Sequence, residues 1–220
     1  MITLSADRAS VTRMNSSRLL SETTFIVVDL ETTGGSPFAG AVITEIGAVK
    51  VNGGIVQEEF KTFVNPLAPI PEFITELTGI TDEMVRLSPI IDEVFPAFME
   101  FCGHEDEAVL VAHNAPFDIG FLKAAAKELE HPWPKYEVLD TARLARQLLT
   151  RDEVVNCKLG TLAQFFNTEV TPTHRALDDA QTTTEVMHRL FERLAGFGVE
   201  SFEELVKFSR KRIKTDSRLI

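Results

Sequence analysis

Two spacings of apolar residues alternate along the chain. Phe25 to Leu30 is a short apolar, β-branched run, the pattern of a buried strand. Val42 to Val51 and Ile55 to Val64 read as a second and a third strand. Between them Asn52-Gly53-Gly54 is a strong hairpin signal, so the first three strands form an antiparallel meander. Val109 to Ala112 is a further short buried strand, and Val138-Leu139 ends another. Helical segments are expected over Glu72–Leu77, Asp82–Leu87, Ile90–Phe101, Pro116–Leu129, Thr141–Leu149, Leu159–Phe166, Arg175–Leu194 and Phe202 to about Lys211. A meander followed by alternating helices and strands predicts an α/β layer fold with a mixed sheet. The hairpin excludes an all-parallel sheet at the start. Thr32-Thr33-Gly34-Gly35 lacks the spacing of a dinucleotide-binding glycine loop.

Length and composition narrow this. A chain of 220 residues holds one α/β domain with a full core and at most a small appendage. The expected organisation is a loose leader over residues 1–23, a catalytic domain over 24–195, and a basic C-terminal helix, tail or linker over 196–220. No apolar run is long enough to span a bilayer, and the first residues lack the apolar core of a secretory signal. Cys102 and Cys157 form neither a disulfide framework nor a zinc spacing, which fits a reducing, cytoplasmic setting. The net charge of −11 opposes nucleic-acid binding in itself. Its distribution softens that: six of the 22 basic residues, but one of the 33 acidic ones, fall between Lys207 and Ile220. Bound cations supply positive charge where a phosphate sits. The tail reads equally as a solvated terminus.

Three polar interruptions carry the chemistry. Asp29-Leu30-Glu31 ends the first strand, and residues two apart on a strand share a face. Paired carboxylates there need a positive partner, and their hard oxygens suit Mg²⁺ or Mn²⁺. The alternative is two acids at a solvated strand end. His113-Asn114 stands at the exit of the fourth strand, with Asp118 in the first turn of the helix that follows. There an acid also serves as a helix-dipole partner, and His113 reads equally as a packed residue. His174 precedes the long helix, and Asp178 and Asp179 occupy its start. His174 and Asp179 converge only if the histidine lies on the loop before the helix. Four acids and a histidine so placed suit two-metal hydrolysis of a phosphodiester, with His174 as the base that deprotonates water.

In these residues the chain resembles the DEDDh exonucleases, the family of the proofreading epsilon subunit of bacterial DNA polymerase III. Asp29-Leu30-Glu31-Thr32-Thr33-Gly34 is similar to the family's first motif, Asn114-Ala115-Pro116-Phe117-Asp118 to the second, and His174 with Asp179 to the third. Glu45-Ile46-Gly47-Ala48-Val49 and Leu77-Thr78-Gly79-Ile80-Thr81 are further family-like stretches. The resemblance covers about residues 24 to 194. It implies a ribonuclease H-like fold, with a five-stranded mixed sheet of three meander strands and two parallel strands flanked by helices. It implies two metal ions on Asp29, Glu31, Asp118 and Asp179, selecting Asp179 over Asp178, and release of nucleotides from a 3′ end. It suggests that Thr32 and Thr33 line the pocket for the terminal nucleotide. Asn114 would orient Asp118 or touch a phosphate, with His113 beside it, and Glu45 would support a ligand or be structural.

The expected substrate is the 3′ end of single-stranded or frayed DNA, in proofreading or repair. RNA trimming by the same motifs is the alternative, because the metal ligands do not separate the two sugars. A non-catalytic module binding nucleic acid or a polymerase is the other alternative, and the complete ligand set argues against it. The tail is a candidate attachment point for a polymerase or repair protein, and the acidic surface predicts distributive action.

Overall fold

The computed structural model describes residues 18–210. Five strands, β1 (Thr24–Thr32), β2 (Ile43–Asn52), β3 (Ile55–Phe63), β4 (Ala108–Ala112) and β5 (Glu137–Asp140), form one sheet in the order β3-β2-β1-β4-β5. The first three pair antiparallel, while β4 and β5 run parallel to β1, as expected. Asn52 pairs with Ile55 across Gly53 and Gly54, which take φ of 61° and 75°. Such left-handed pairs favour glycine and match the strand twist. Among the described residues eight α-helices flank the sheet: α1 (Glu72–Thr78), α2 (Asp82–Val85), α3 (Ile91–Cys102), α4 (Pro116–Glu128), α5 (Thr141–Leu148), α6 (Leu159–Phe166), α7 (Ala176–Ala195) and α8 (Phe202–Ser209). α2 is shorter than the pattern suggests, because Arg86 to Ser88 close it as a turn.

The alternation of β1 sorts its side chains between two cores. Ile26, Val28 and Leu30 face the layer of α3 and α4 with Phe95, Phe98 and Leu122. Phe25 and Val27 face α5 to α8 with Leu144, Leu162, Met187 and Leu190. By the same period Asp29 and Glu31 lie on the α7 face. β1 also outruns its neighbour. It pairs with β4 only from Thr24 to Val27, so beyond Val27 one edge is open to the start of α4.

α7 sits against β2 through Val49, Val51, Leu177 and Ala180. At Gly47 the two backbones nearly touch: a β-carbon there would lie 2.2 Å from the carbonyl carbon of Ala176 and from the Leu177 nitrogen. Only glycine permits that approach.

Of the segment expected as a leader, residues 1–17 lie outside the described residues, and Arg18 to Thr23 pack on the domain. Leu19 bridges Ser201, the Leu20 N–H donates to the Glu200 carbonyl (2.9 Å), and the Phe202 N–H donates to the Arg18 carbonyl (2.8 Å). α8 starts in a Ser201–Glu204 capping box and buries Leu205 in the core beneath α7. The remainder of the expected tail, residues 211–220, lies outside the described residues. No helix among the described residues is long and apolar enough to cross a membrane.

Leu205→Ala should cost about 2–5 kcal/mol, because the site cannot collapse around a fully buried leucine. Denaturant titration should show this as a lowered midpoint. Gly47→Ala should cost about 1–3 kcal/mol or more, because the methyl meets backbone that no rotamer change can move. Thermal unfolding followed by circular dichroism checks it.

Candidate active site

The acids of β1 stand in register with two of the residues of β2 that face α7. Asp29 pairs with Gly47, and Glu31 with Glu45. Glu45 is fully buried and accepts three hydrogen bonds: from Arg175 Nε at 3.0 Å, Arg175 Nη2 at 2.8 Å and the Ala176 N–H at 3.1 Å. The outer face of the Arg175 guanidinium lies 5.0 Å from the Phe63 ring centroid. Glu45 therefore meets the first N–H of α7 and a neutralising charge together. Losing Arg175, which is itself partly exposed, would leave the buried Glu45 charge without its cation, the costly half of such a pair.

Docking at Gly47 and Glu45 sets the start of α7 over Asp29 and Glu31. Asp179, in its first turn, is buried and accepts the Thr173 N–H at 2.9 Å. His174 lies on the preceding loop with a φ of 58° and an exposed ring. The loop position expected for this histidine is thus the observed one. One ligand atom from each of Glu31, His174 and Asp179 falls within 4.8 Å of the others.

Asp118 arrives from the opposite layer. α4 begins at Pro116, whose missing N–H costs nothing in a first turn. The Asp118 carboxylate turns to the open edge of β1 and accepts the Leu30 N–H at 3.1 Å. A parallel strand would have taken that donor, had β4 extended further.

The site is electrostatically costly by itself. Burial pushes Asp29 well above the usual carboxylate range, and the charges of Asp118, Asp179, Glu31 and Glu45 add to it. Burial raises Glu31 to about 8, with Asp179, Glu45 and Asp118 adding and Arg175 opposing. Burial likewise raises Asp118 to about 8 against the Leu30 N–H, and it raises Asp179 against the Thr173 N–H. Clustered oxygen donors with no protein cation among them fit a divalent metal ion, which the exonuclease family uses.

A cavity of about 310 Å³ opens onto Asp29, Glu31, Thr32, His174 and Asp179, with Ile74, Leu77 and Phe117 as its apolar wall. A separate cavity of about 360 Å³ lies beneath α3 and α4, but its only charged residues are Asp92 and Glu128. The chemistry belongs to the first.

The other expected contact residues are placed differently. Thr32 lines the cavity, and its hydroxyl donates to the Gly34 carbonyl at 2.8 Å. The Thr33 hydroxyl accepts the Val42 N–H at 3.0 Å and closes the β1–β2 connection. Asn114 is exposed with a φ of 70°, and its N–H donates to Asp140 at 3.2 Å. His113 bridges inward, 2.9 Å from the Thr141 hydroxyl and 2.9 Å from the Cys157 carbonyl. A carbonyl only accepts, so Nε2 carries the proton, and burial favours this neutral ring. None of Thr33, His113 and Asn114 borders the acidic cavity. Sequence reasoning missed Arg175, Phe63, Asp140 and the apolar wall. Arg175 was in view, directly after His174, but its partner Glu45 is 130 positions away.

Comparison with known proteins follows this geometry. The exonuclease family model RNase_T matches residues 26–187. A Mycobacterium tuberculosis protein named as a bifunctional exonuclease/endonuclease is 54% identical over 191 residues, 84% of this chain and 29% of that protein. A PolC-type DNA polymerase III of Caldanaerobacter subterraneus is 45% identical over 181 residues, 82% of this chain and 12% of the polymerase. The chain thus spans less than a third of the length of these relatives. Exonuclease X, solved in complex with 5′ overhanging duplex DNA, superposes with a TM-score of 0.61 at 25% identity, covering 84% of this chain and 99% of that one. The sheet and its flanking helices are ribonuclease H-like. Sequence, site and fold agree, and the chain belongs to the exonuclease family.

Proposed function

We propose that this chain is a 3′→5′ exonuclease that releases nucleoside monophosphates from single-stranded or frayed DNA ends, in proofreading or repair. The observation that carries this reading is the meeting of four carboxylates, from β1, α4 and α7, with His174 at the C-terminal end of a central strand. In this reading Asp29, Glu31, Asp118 and Asp179 would hold two Mg²⁺ or Mn²⁺ ions, which would supply Lewis-acid chemistry at the scissile phosphate and the attacking water. His174 takes the proton from that water, since its imidazole lies near both Glu31 and Asp179. Ile74, Leu77 and Phe117 give an apolar face for the terminal base, and Thr32 lies beside its sugar. Thr33, His113 and Asn114 act through the turns they hold, which present Glu31 and Asp118.

DNA is favoured over RNA because the polymerase relatives are DNA polymerases and Exonuclease X was solved on duplex DNA. The net charge of −11 gives little hold on a long backbone, so the isolated chain releases its substrate often. A polymerase or repair protein joined near the basic C-terminal residues would supply that hold.

A 5′-labelled single-stranded DNA with Mg²⁺ should shorten from its 3′ end as a ladder, faster than matched RNA. Asp29→Ala and His174→Ala should each reduce the rate at least about 100-fold. Faster digestion of RNA would reassign the substrate, and an unaffected Asp29→Ala variant would reject the metal site. A second prediction concerns pH. The acids have folded-state pKa values above their unfolded ones, so without metal their contribution to stability is complete at low pH. It is lost as pH rises through about 8. Mg²⁺ binds the deprotonated site, so the rise in melting temperature on adding Mg²⁺ should be larger at pH 8.5 than at pH 6. Equal rises at the two pH values would contradict this.

A further inference from the structure

We propose that Arg175 is the positioning residue for His174, aiming its imidazole from a rigid anchor formed by Glu45 and Phe63. The proposal rests on the reading of His174 as the proton acceptor.

The imidazole of His174 is exposed, and among the described residues no hydrogen bond holds its ring. The point from which it reaches the cavity is set by its backbone, whose N–H also bonds Asp179 and which sits at φ 58°, a conformation that a residue with a β-carbon rarely adopts. Such a conformation persists only where the flanking residues over-determine it. On one side Thr173 is fixed twice, its N–H to Asp179 at 2.9 Å and its hydroxyl to Asp178 at 2.7 Å. Both partners belong to α7 itself, so this side ties the loop only to the helix it precedes. On the other side Arg175 reaches the sheet. Two guanidinium nitrogens meet the two oxygens of Glu45 at 3.0 and 2.8 Å, and the guanidinium carbon lies over the Phe63 ring, 5.0 Å from its centroid.

The choice of arginine is specific. A planar fork alone satisfies a carboxylate at both oxygens while stacking on an aromatic ring, and lysine keeps the charge but neither geometry. The anchor is also well chosen. Glu45 is fully buried and pairs in register with Glu31, so the arm that aims the base is measured from the same strand row as a proposed metal ligand. Helix capping does not require Arg175, because Glu45 itself receives the Ala176 N–H. Docking of α7 is independently fixed at Gly47. Beyond neutralising Glu45, what Arg175 adds is the placement of the residue before it.

A double-variant cycle on the full chain tests this, with labelled single-stranded DNA and saturating Mg²⁺. At this saturating Mg²⁺, Arg175→Ala should lower kcat about 10- to 100-fold, with KM for DNA within about twofold. Arg175→Lys should lie closer to Arg175→Ala than to the native chain. The decisive variant combines Arg175→Ala with His174→Ala: its kcat should equal that of His174→Ala alone, since a base that is gone needs no aiming. Multiplied losses in the double variant would overturn the proposal and make Arg175 a support of Asp179 or of the fold. If Arg175→Ala does not fold, as judged by its melting temperature, the same cycle is run with Arg175→Lys. Native kcat in His174→Ala would instead reject the base assignment, a failure distinct from additivity in the cycle.

Discussion

The first turn of α7 rests on bare backbone at Gly47, and the site depends on that contact. A helix normally stands off a sheet by the length of its side chains, about 10 Å between layers. Here one position has no side chain, and a β-carbon would fall 2.2 Å from the helix. The close approach lowers Asp179 and the His174 loop to the level of Asp29 and Glu31. Glu45, two residues before Gly47 on the same face, fastens the helix end with its carboxylate. One short stretch of β2 thus sets the height, direction and charge of the opposite half of the site.

The same closeness makes the protein work against itself in the absence of metal. Four acids converge where burial already disfavours their charged forms. The surroundings limit the cost by separate means. Asp118 and Asp179 each accept a backbone N–H, and Arg175 offsets Glu45 and Glu31. The larger share of stability lies away from the site, in two apolar layers on either side of β1. This is the usual division between a stable scaffold and a strained functional end.

Much of this was legible in the sequence for a simple reason. β1 and β4 are buried on both faces, so their apolar runs are unbroken and any acid within them stands out. The five strands, the meander and the loop position of His174 follow from such local patterns. Long-range pairing was not legible. Nothing near Arg175 announces Glu45, and nothing near Asp118 announces the free edge of β1, because β4 ends its pairing with β1 at Val27. His113 and Thr33 misled for a related reason. Both are polar and flank the metal motifs, yet their hydrogen bonds close turns rather than face the cavity. Polar residues beside a site serve its architecture as often as its chemistry.

The pairing of Arg18–Leu20 with Glu200–Phe202 has a consequence for how such a unit is carried. The segment before β1 and the segment that enters α8 meet as neighbours where β1 begins, while the carboxylates lie toward the far end of that strand. Five to seven residues of strand separate Thr24 from the two acids of β1, roughly 17–23 Å. A polypeptide can thus leave a larger protein, build the whole domain, and return at almost the same point, like a pendant on a two-stranded cord. The host need only tolerate one small gap in its own surface. Whatever hangs at the cord end leaves the mouth of the cavity clear for an approaching strand.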